Sequence, residues 1–137
     1  MLTNRRTIKV AWGECDPADI IFYPRYFEWF NEGTTALFER AGLVKRQMLK
    51  DHGIIGMPIV DARAKFIIPS SYGDEVVLES AVAEWRRSSF DIRHRVLRGD
   101  AVAVEGQETR VWAAPDPANP GHIKALPIPA EIIARFA

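Results

Sequence analysis

The stretch Gly13-Glu14-Cys15-Asp16-Pro17-Ala18-Asp19-Ile20-Ile21-Phe22-Tyr23-Pro24 holds the groups of this chain best suited to chemistry. A carboxylate is fixed by a following proline. An apolar run comes next, and a second proline stands where a long helical pattern begins. The start of a helix carries N–H groups without helical partners, and the peptide dipoles add partial positive charge there. Such a point can stabilise negative charge growing on a carbonyl oxygen, while a nearby carboxylate attacks an acyl carbon or activates water. The plainer reading of the same residues is that Asp16 makes an Asx-turn and Pro17 ends a strand, since Asp-Pro is a common turn pair.

No G-x-S-x-G elbow, phosphate loop, dinucleotide fingerprint or H-E-x-x-H competes with this stretch. His52, His94 and His122 lack ligand spacing. His94 shares a strand face with Phe90, Ile92 and Val96 and reads as a hydrogen-bonded core residue, whereas His52 and His122 fall in expected loops facing solvent. Cys15 is the single cysteine, which excludes an intramolecular disulfide and a cysteine-based zinc site. It has no partner histidine in the motif and reads as a packing residue. Nothing calls for a metal or a redox cofactor.

The elements that must position the loop are legible around it. Ile8, Val10 and Trp12 alternate with Lys9 and Ala11, which predicts a short strand. Pro24 suits the first position of a helix, apolar residues recur at helical spacing from Arg25 to Ala41, and Gly42 is a natural stop. A shorter helix is expected over Lys45 to Asp51. Val60, Ala62, Ala64, Phe66 and Ile68 alternate with Asp61, Arg63 and Lys65, a half-buried strand. Three more strands are expected over Glu75–Trp85, around Phe90–Val96 and over Ala101–Ala113, the last two joined by a tight turn at Arg98-Gly99-Asp100. The five prolines between Pro115 and Pro129 predict a loop before a short terminal helix from Ala130 to Phe136. Short connections favour antiparallel neighbours, so the class is α+β. A curved sheet wrapped around one long helix would cover that helix's aromatics.

At 137 residues, 47% hydrophobic and 26% charged, the chain fits one globular domain over residues 1–137. Its 18 basic and 18 acidic side chains cancel, so no global field draws it to nucleic acid or an anionic membrane. Met1 to Val10 lacks the apolar stretch of a signal peptide, and no run approaches a membrane span. With one free thiol, a cytoplasmic protein is the expectation.

The loop resembles the active-site segment of the 4-hydroxybenzoyl-CoA thioesterase family, in the form where an aspartate follows cysteine and precedes proline. Gly56-Met57-Pro58-Ile59-Val60 and Glu84-Trp85-Arg86-Arg87-Ser88-Ser89-Phe90 resemble that family's later motifs. The resemblance runs from about Thr7 to the terminal helix. It implies a hotdog fold, with the long helix as the filling, in which two chains pair edge to edge, commonly doubling to a homotetramer, with active sites at the subunit interface. It also implies hydrolysis of an acyl-CoA. Asp16 would be the nucleophile or general base, and the Tyr23 N–H would polarise the thioester carbonyl. Arg86 and Arg87, with Ser88 beside them, would meet the phosphates of coenzyme A, to which guanidinium is suited.

Three positions depart from that family's pattern. Asp19 stands where a small residue is usual and reads as loop structure or pocket rim. Asn31 stands where an acid reads the substrate's phenolic hydroxyl, and Met57 replaces a hydroxyl residue. Both changes shift the expected substrate towards another aromatic, or a short to medium aliphatic, acyl group. Two other readings accompany hydrolysis. One is a non-catalytic acyl-CoA-binding protein. The other is a hotdog dehydratase or hydratase, which needs a histidine near the helix start, where this chain has none.

Overall fold

The computed structural model describes residues 1–137. In chain order the elements are β1 (Thr3–Lys9), a 3-10 turn (Trp12–Glu14), α1 (Pro24–Arg40), α2 (Lys45–His52), β2 (Ile59–Phe66), β3 (Glu75–Trp85), β4 (Ser89–Arg98), β5 (Ala101–Val111), β6 (Ala113–Pro115), β7 (Ile123–Ala125) and α3 (Ala130–Ala134). The first five strands make one antiparallel sheet in the order β1-β3-β4-β5-β2, while β6 and β7 pair separately. α1 lies against one sheet face, over β3, β1 and β4. No helix is long and apolar enough to cross a membrane.

Pro24 opens α1 where no helical N–H is lost, and Gly42 follows its end with a φ of 82°. The buried stripe contains Tyr26, Trp29, Phe30, Gly33, Leu37 and Phe38. It divides the core into two clusters. Phe30, Tyr26 and Trp29 pack on Val76, Leu78 and Val104. Leu37 and Phe38 pack on Phe90, Ile92 and Trp112.

Between the clusters the helix and the sheet approach closely, glycine backbone on one side against side chains on the other. A Cβ on Gly33 would stand 2.7 Å from Ser80 Oγ and 2.8 Å from Leu78 Cδ2. A Cβ on Gly106 of β5 would run into the Phe30 ring. That ring cannot retreat easily, because it stacks on His94 at 4.7 Å with planes 6° apart.

His94 is fully buried beneath this contact. Its Nδ1 lies 2.7 Å from Ser80 Oγ and its Nε2 3.0 Å from Glu108 Oε1, to which the Thr34 hydroxyl also donates at 2.6 Å. Burial pulls the His94 pKa down, partly countered by Glu108. Burial opposes charge on Glu108 too, but the bond from His94, the Arg110 charge and the Thr34 hydroxyl outweigh it, holding its pKa at about 2. The consistent state is a neutral imidazole that donates Nε2–H to ionised Glu108 and accepts the Ser80 hydroxyl at Nδ1.

Four expectations are corrected. β1 ends at Lys9, so Trp12 falls in the 3-10 turn, 70% exposed and edge-on to Tyr72 at 5.4 Å. The apolar face of β2 is more open than expected: Val60, at a bulge in the pairing with β5, is 63% exposed, and Phe66, whose ring lies 5.4 Å from that of Tyr26, is 48% exposed, because β2 is an edge strand that α1 meets only at its Phe66 end. His52 ends α2 and is half-buried, its ring 5.5 Å from that of Trp112. The proline-rich segment is not all loop, since β7 returns along β6.

The flush contact predicts that Gly106→Ala destabilises the fold by about 1–3 kcal/mol, the usual range for overpacking, read as a lower urea midpoint at an unchanged slope. The neutral state of His94 predicts a pH dependence as well. A histidine neutral when folded, yet ordinary (6.5) when unfolded, contributes stability fully above that value. The contribution is lost as pH falls below it, since the unfolded chain then binds the proton. The urea midpoint should drop between pH 7.5 and 5.5, and His94→Gln should flatten that drop. Glu108 contributes only lower, with stability lost from its ordinary 4.5 down towards 2.

Candidate active site

The loop between β1 and α1 is a narrow hairpin. Asp16 N–H donates to the Ile20 carbonyl and Phe22 N–H to the Glu14 carbonyl, each at 2.9 Å. Asp19 takes a left-handed φ of 63° at its tip, a loop residue as expected. Glu14 braces the hairpin against α1, since its Oε2 accepts Trp29 Nε1–H at 2.7 Å and its Oε1 accepts Ala11 N–H at 2.8 Å. Both oxygens being occupied, Glu14 is not free to act as a base. Cys15 is half-buried beside it, and its thiol pKa is pushed up by burial first and then by Asp19. A thiol held protonated is a poor nucleophile.

Asp16 does close the Asx-turn: Ala18 N–H donates to its Oδ1 at 2.8 Å. That bond fixes the side chain and leaves Oδ2 without a partner in the chain. The turn reading and the chemical reading are therefore compatible. At the helix start, Arg25 and Tyr26 N–H turn back to the carbonyls of Phe22 and Tyr23, and Pro24 has no N–H. The Tyr23 N–H has no acceptor in the chain. Asp16 and Tyr23 share the wall of a cavity of about 440 Å³ whose other surfaces are apolar, among them Ile20, Tyr26 and Phe66. A free carboxylate oxygen and an unpaired helix-start donor thus face one apolar space.

Asn31 and Met57 line a different cavity, of about 410 Å³, together with Lys45, Ile59 and Arg110. Its polar side is an extension of the buried cluster. Arg110 lies on Glu108 at 3.1 Å, donates to the Met57 carbonyl at 3.2 Å and reaches Asn31 Oδ1 at 2.9 Å. Neither cavity contains a histidine.

Arg86, Arg87 and Ser88 form the β3–β4 turn, at the same end of the sheet as this second cavity. The Ser88 carbonyl accepts Trp112 N–H at 2.8 Å, next to Val111, whose N–H donates to the Pro58 carbonyl at 3.0 Å. Arg86 is bidentate on the buried Asp91, at 2.6 and 3.0 Å, and also meets Glu84 at 3.0 Å. The pairing with Asp91 raises the arginine's pKa and lowers the aspartate's. Arg87 is exposed and forms no ion pair.

The expected site residues therefore fall into two groups. Asp16 and Tyr23 lie beyond one end of β2, where Phe66 lines their cavity. Asn31, Met57, Arg87 and Ser88 lie at the other end, where Ile59 does. From Ile59 to Phe66 an extended strand covers roughly 23 Å. Glu108, Arg110 and Lys45 were not anticipated. For the first two a signal existed: Val104, Gly106, Glu108, Arg110 and Trp112 alternate along β5, placing opposite charges two residues apart on a buried face.

Residues 10–136 match the family model described as the thioesterase-like superfamily. The chain is 36% identical over 131 residues to the 4-hydroxybenzoyl-CoA thioesterase of Pseudomonas sp. (strain CBS-3), covering 91% of each. A mutant 4-hydroxybenzoyl CoA thioesterase solved with 4-hydroxybenzoyl CoA superposes with a TM-score of 0.91 at 31% identity, over 100% of both chains. A gentisyl-coenzyme A thioesterase superposes with a TM-score of 0.80 at 29% identity, over 97% of this chain and 98% of that one. The wrapped helix is thus the filling of a hotdog fold.

Proposed function

The chain belongs to the thioesterase-like superfamily and is a hydrolase of acyl-CoA thioesters, and from that premise we propose that Asp16 and the Tyr23 N–H carry the reaction. The observation behind this reading is the pairing of a free carboxylate oxygen with an unpaired helix-start N–H across one apolar cavity. The thioester carbonyl oxygen lies on the Tyr23 N–H, which is worth most as negative charge develops there. Asp16 Oδ2 faces the carbonyl carbon and either attacks it, expelling the coenzyme A thiolate to give an acyl-enzyme anhydride that water then hydrolyses, or takes the proton of an attacking water, after which the C–S bond breaks and the departing thiolate takes up that proton. The apolar walls exclude other water and strengthen both interactions. The acyl group is aromatic, or aliphatic of short to medium length, and residues 1–137 act as one cytoplasmic domain.

The working unit is a homodimer, doubled to a tetramer. A two-fold axis pairing β2 with a second β2 runs the strands antiparallel, so the Ile59 end of one chain lies beside the Phe66 end of its partner. Such pairing covers Val60 and Phe66 and satisfies the open edge. It also joins the Asp16 cavity of one subunit to the Asn31 cavity of the other. The acyl group then extends from Asp16 into the partner's cavity. Arg87, with Ser88 in the same turn, contacts the nucleotide phosphates, and Arg86 holds that turn through Asp91.

Asp16→Asn should lower kcat about 10²–10⁴-fold, the usual worth of a positioned acid or base, while acyl-CoA still binds. A variant that keeps its kcat excludes Asp16 from the chemistry. Mixing provides a second check. Met57→Trp, which fills the Asn31 cavity, and Asp16→Asn should each be inactive alone. Co-refolded in equal amounts they should recover roughly a quarter of native activity, because half of the pairs are mixed and each mixed pair has one intact site of two. No recovery would mean that each chain carries its own complete site.

A further inference from the structure

We propose that the cavity holding Asn31 is a donor-lined pocket for the far end of the acyl group, selecting acyl groups that end in a carboxylate over those that end in a hydroxyl. The proposal rests on the reading above that the acyl group enters this cavity.

The orientation of Asn31 carries the argument. Arg110 has only N–H donors and cannot accept a hydrogen bond. Its Nη2 lies 2.9 Å from the Asn31 side chain, so the atom facing it is the amide oxygen. The Asn31 NH₂ is turned away from Arg110 and has no acceptor in the chain, and the residue stands exposed in the cavity wall. It presents donors to whatever occupies the space.

The rest of the wall agrees. None of the 13 lining residues is acidic, and two, Lys45 and Arg110, are cationic. Lys45 makes no ion pair, and its stem begins α2 at the cavity rim. Arg110's charge is matched by Glu108 behind it. The two wall hydroxyls are used as donors within the chain, that of Thr34 to Glu108 at 2.6 Å and that of Thr35 to the Asn31 carbonyl at 3.3 Å. The Met57 carbonyl already accepts from Arg110. A hydroxyl at the end of the acyl group would thus find no carboxylate to donate to, only neutral oxygens already engaged in one hydrogen bond each, a weaker match than a charged acceptor. A carboxylate would meet the Asn31 N–H groups and the Lys45 ammonium, bonds of the charge-assisted kind. Much of the remaining lining is apolar, with Phe38, Met48 and Met57 among it.

The test is binding to the full-length Asp16→Asn protein, which separates recognition from turnover. The probes are benzoyl-CoA, 4-hydroxybenzoyl-CoA and 4-carboxybenzoyl-CoA, measured by calorimetry. The carboxylate ligand should bind at least tenfold tighter than the hydroxyl ligand. Adding Lys45→Met should weaken the carboxylate ligand alone, leaving benzoyl-CoA unchanged. Adding Asn31→Asp, which keeps an oxygen for Arg110 and replaces the cavity-facing NH₂ with an acceptor, should reverse the order. Equal or tighter binding of the hydroxyl ligand, no binding of any probe, or an order untouched by Asn31→Asp overturns the proposal. Native protein assayed with the same three thioesters distinguishes the two layers of inference. Hydrolysis with a preference for the hydroxyl ligand sinks the pocket alone. The expected binding order without any hydrolysis sinks the assignment of Asp16 and leaves the pocket standing.

Discussion

The rest of this structure depends on α1 lying flush on its sheet. Gly33 and Gly106 allow the approach, and Phe30 clamps it by stacking on His94. Flush contact leaves no room for water, so the carboxylate of Glu108, facing the helix from β5, is buried with its charge. An unpaired charge there would be very costly. Glu108 is therefore surrounded: His94 and Thr34 meet one oxygen, Arg110 the other. Arg110 still has donors to satisfy, and it satisfies them on the Met57 carbonyl and the Asn31 amide. A packing constraint in the core thus propagates, one hydrogen bond at a time, into the orientation of a side chain in a cavity wall.

The same placement of α1 explains the open edge. A helix over β3, β1 and β4 cannot also shield β2, whose apolar residues remain exposed in the single chain. An unpaired edge with exposed apolar residues invites association. The proposed second copy is an economical cover, because it would answer the edge and join the two cavities together. Each chain holds Asp16 and Tyr23 at one end of β2 and the Asn31 cavity at the other, and only an antiparallel partner strand brings opposite ends side by side.

Much of the fold was legible because periodicity and punctuation agree with the tertiary solution. Pro24 and Gly42 bound α1, and the period-2 runs over β3, β4 and β5 are where alternation placed them. Alternation failed for β2 because it reports which residues share a face, not whether anything covers that face. It placed β1 too late because Trp12, apolar and in phase, is taken by the 3-10 turn and an exposed contact with Tyr72. In the loop, the sequence allowed both a turn and a chemical role for Asp16; the bond from Ala18 to Oδ1 makes the turn and leaves Oδ2 open to the proposed role. Arg86 and Arg87 look alike in sequence. Their difference comes from Asp91, a strand neighbour that claims one guanidinium and leaves the other in solvent. No reading of local spacing reveals such a claim, because it is settled by which face each side of the turn presents.

In the proposed pair each α1 serves two sites at once. Its start offers the Tyr23 N–H to one thioester, and Asn31, about two turns further on, faces the acyl group bound at the other. A helix free to slide would couple the two sites, since any shift that improved one donor would displace the other. The seat at Gly33 and Gly106 removes that freedom, for packed interiors resist even small displacements. Chemistry and selection are then mechanically joined but chemically separable. Exchanging Asn31 alters the polarity offered to the acyl end without touching the hairpin that aims Asp16, provided Arg110 still finds an oxygen there. What Arg110 requires at position 31 is therefore an acceptor towards the core, and in the proposed pocket the outward face is free to differ.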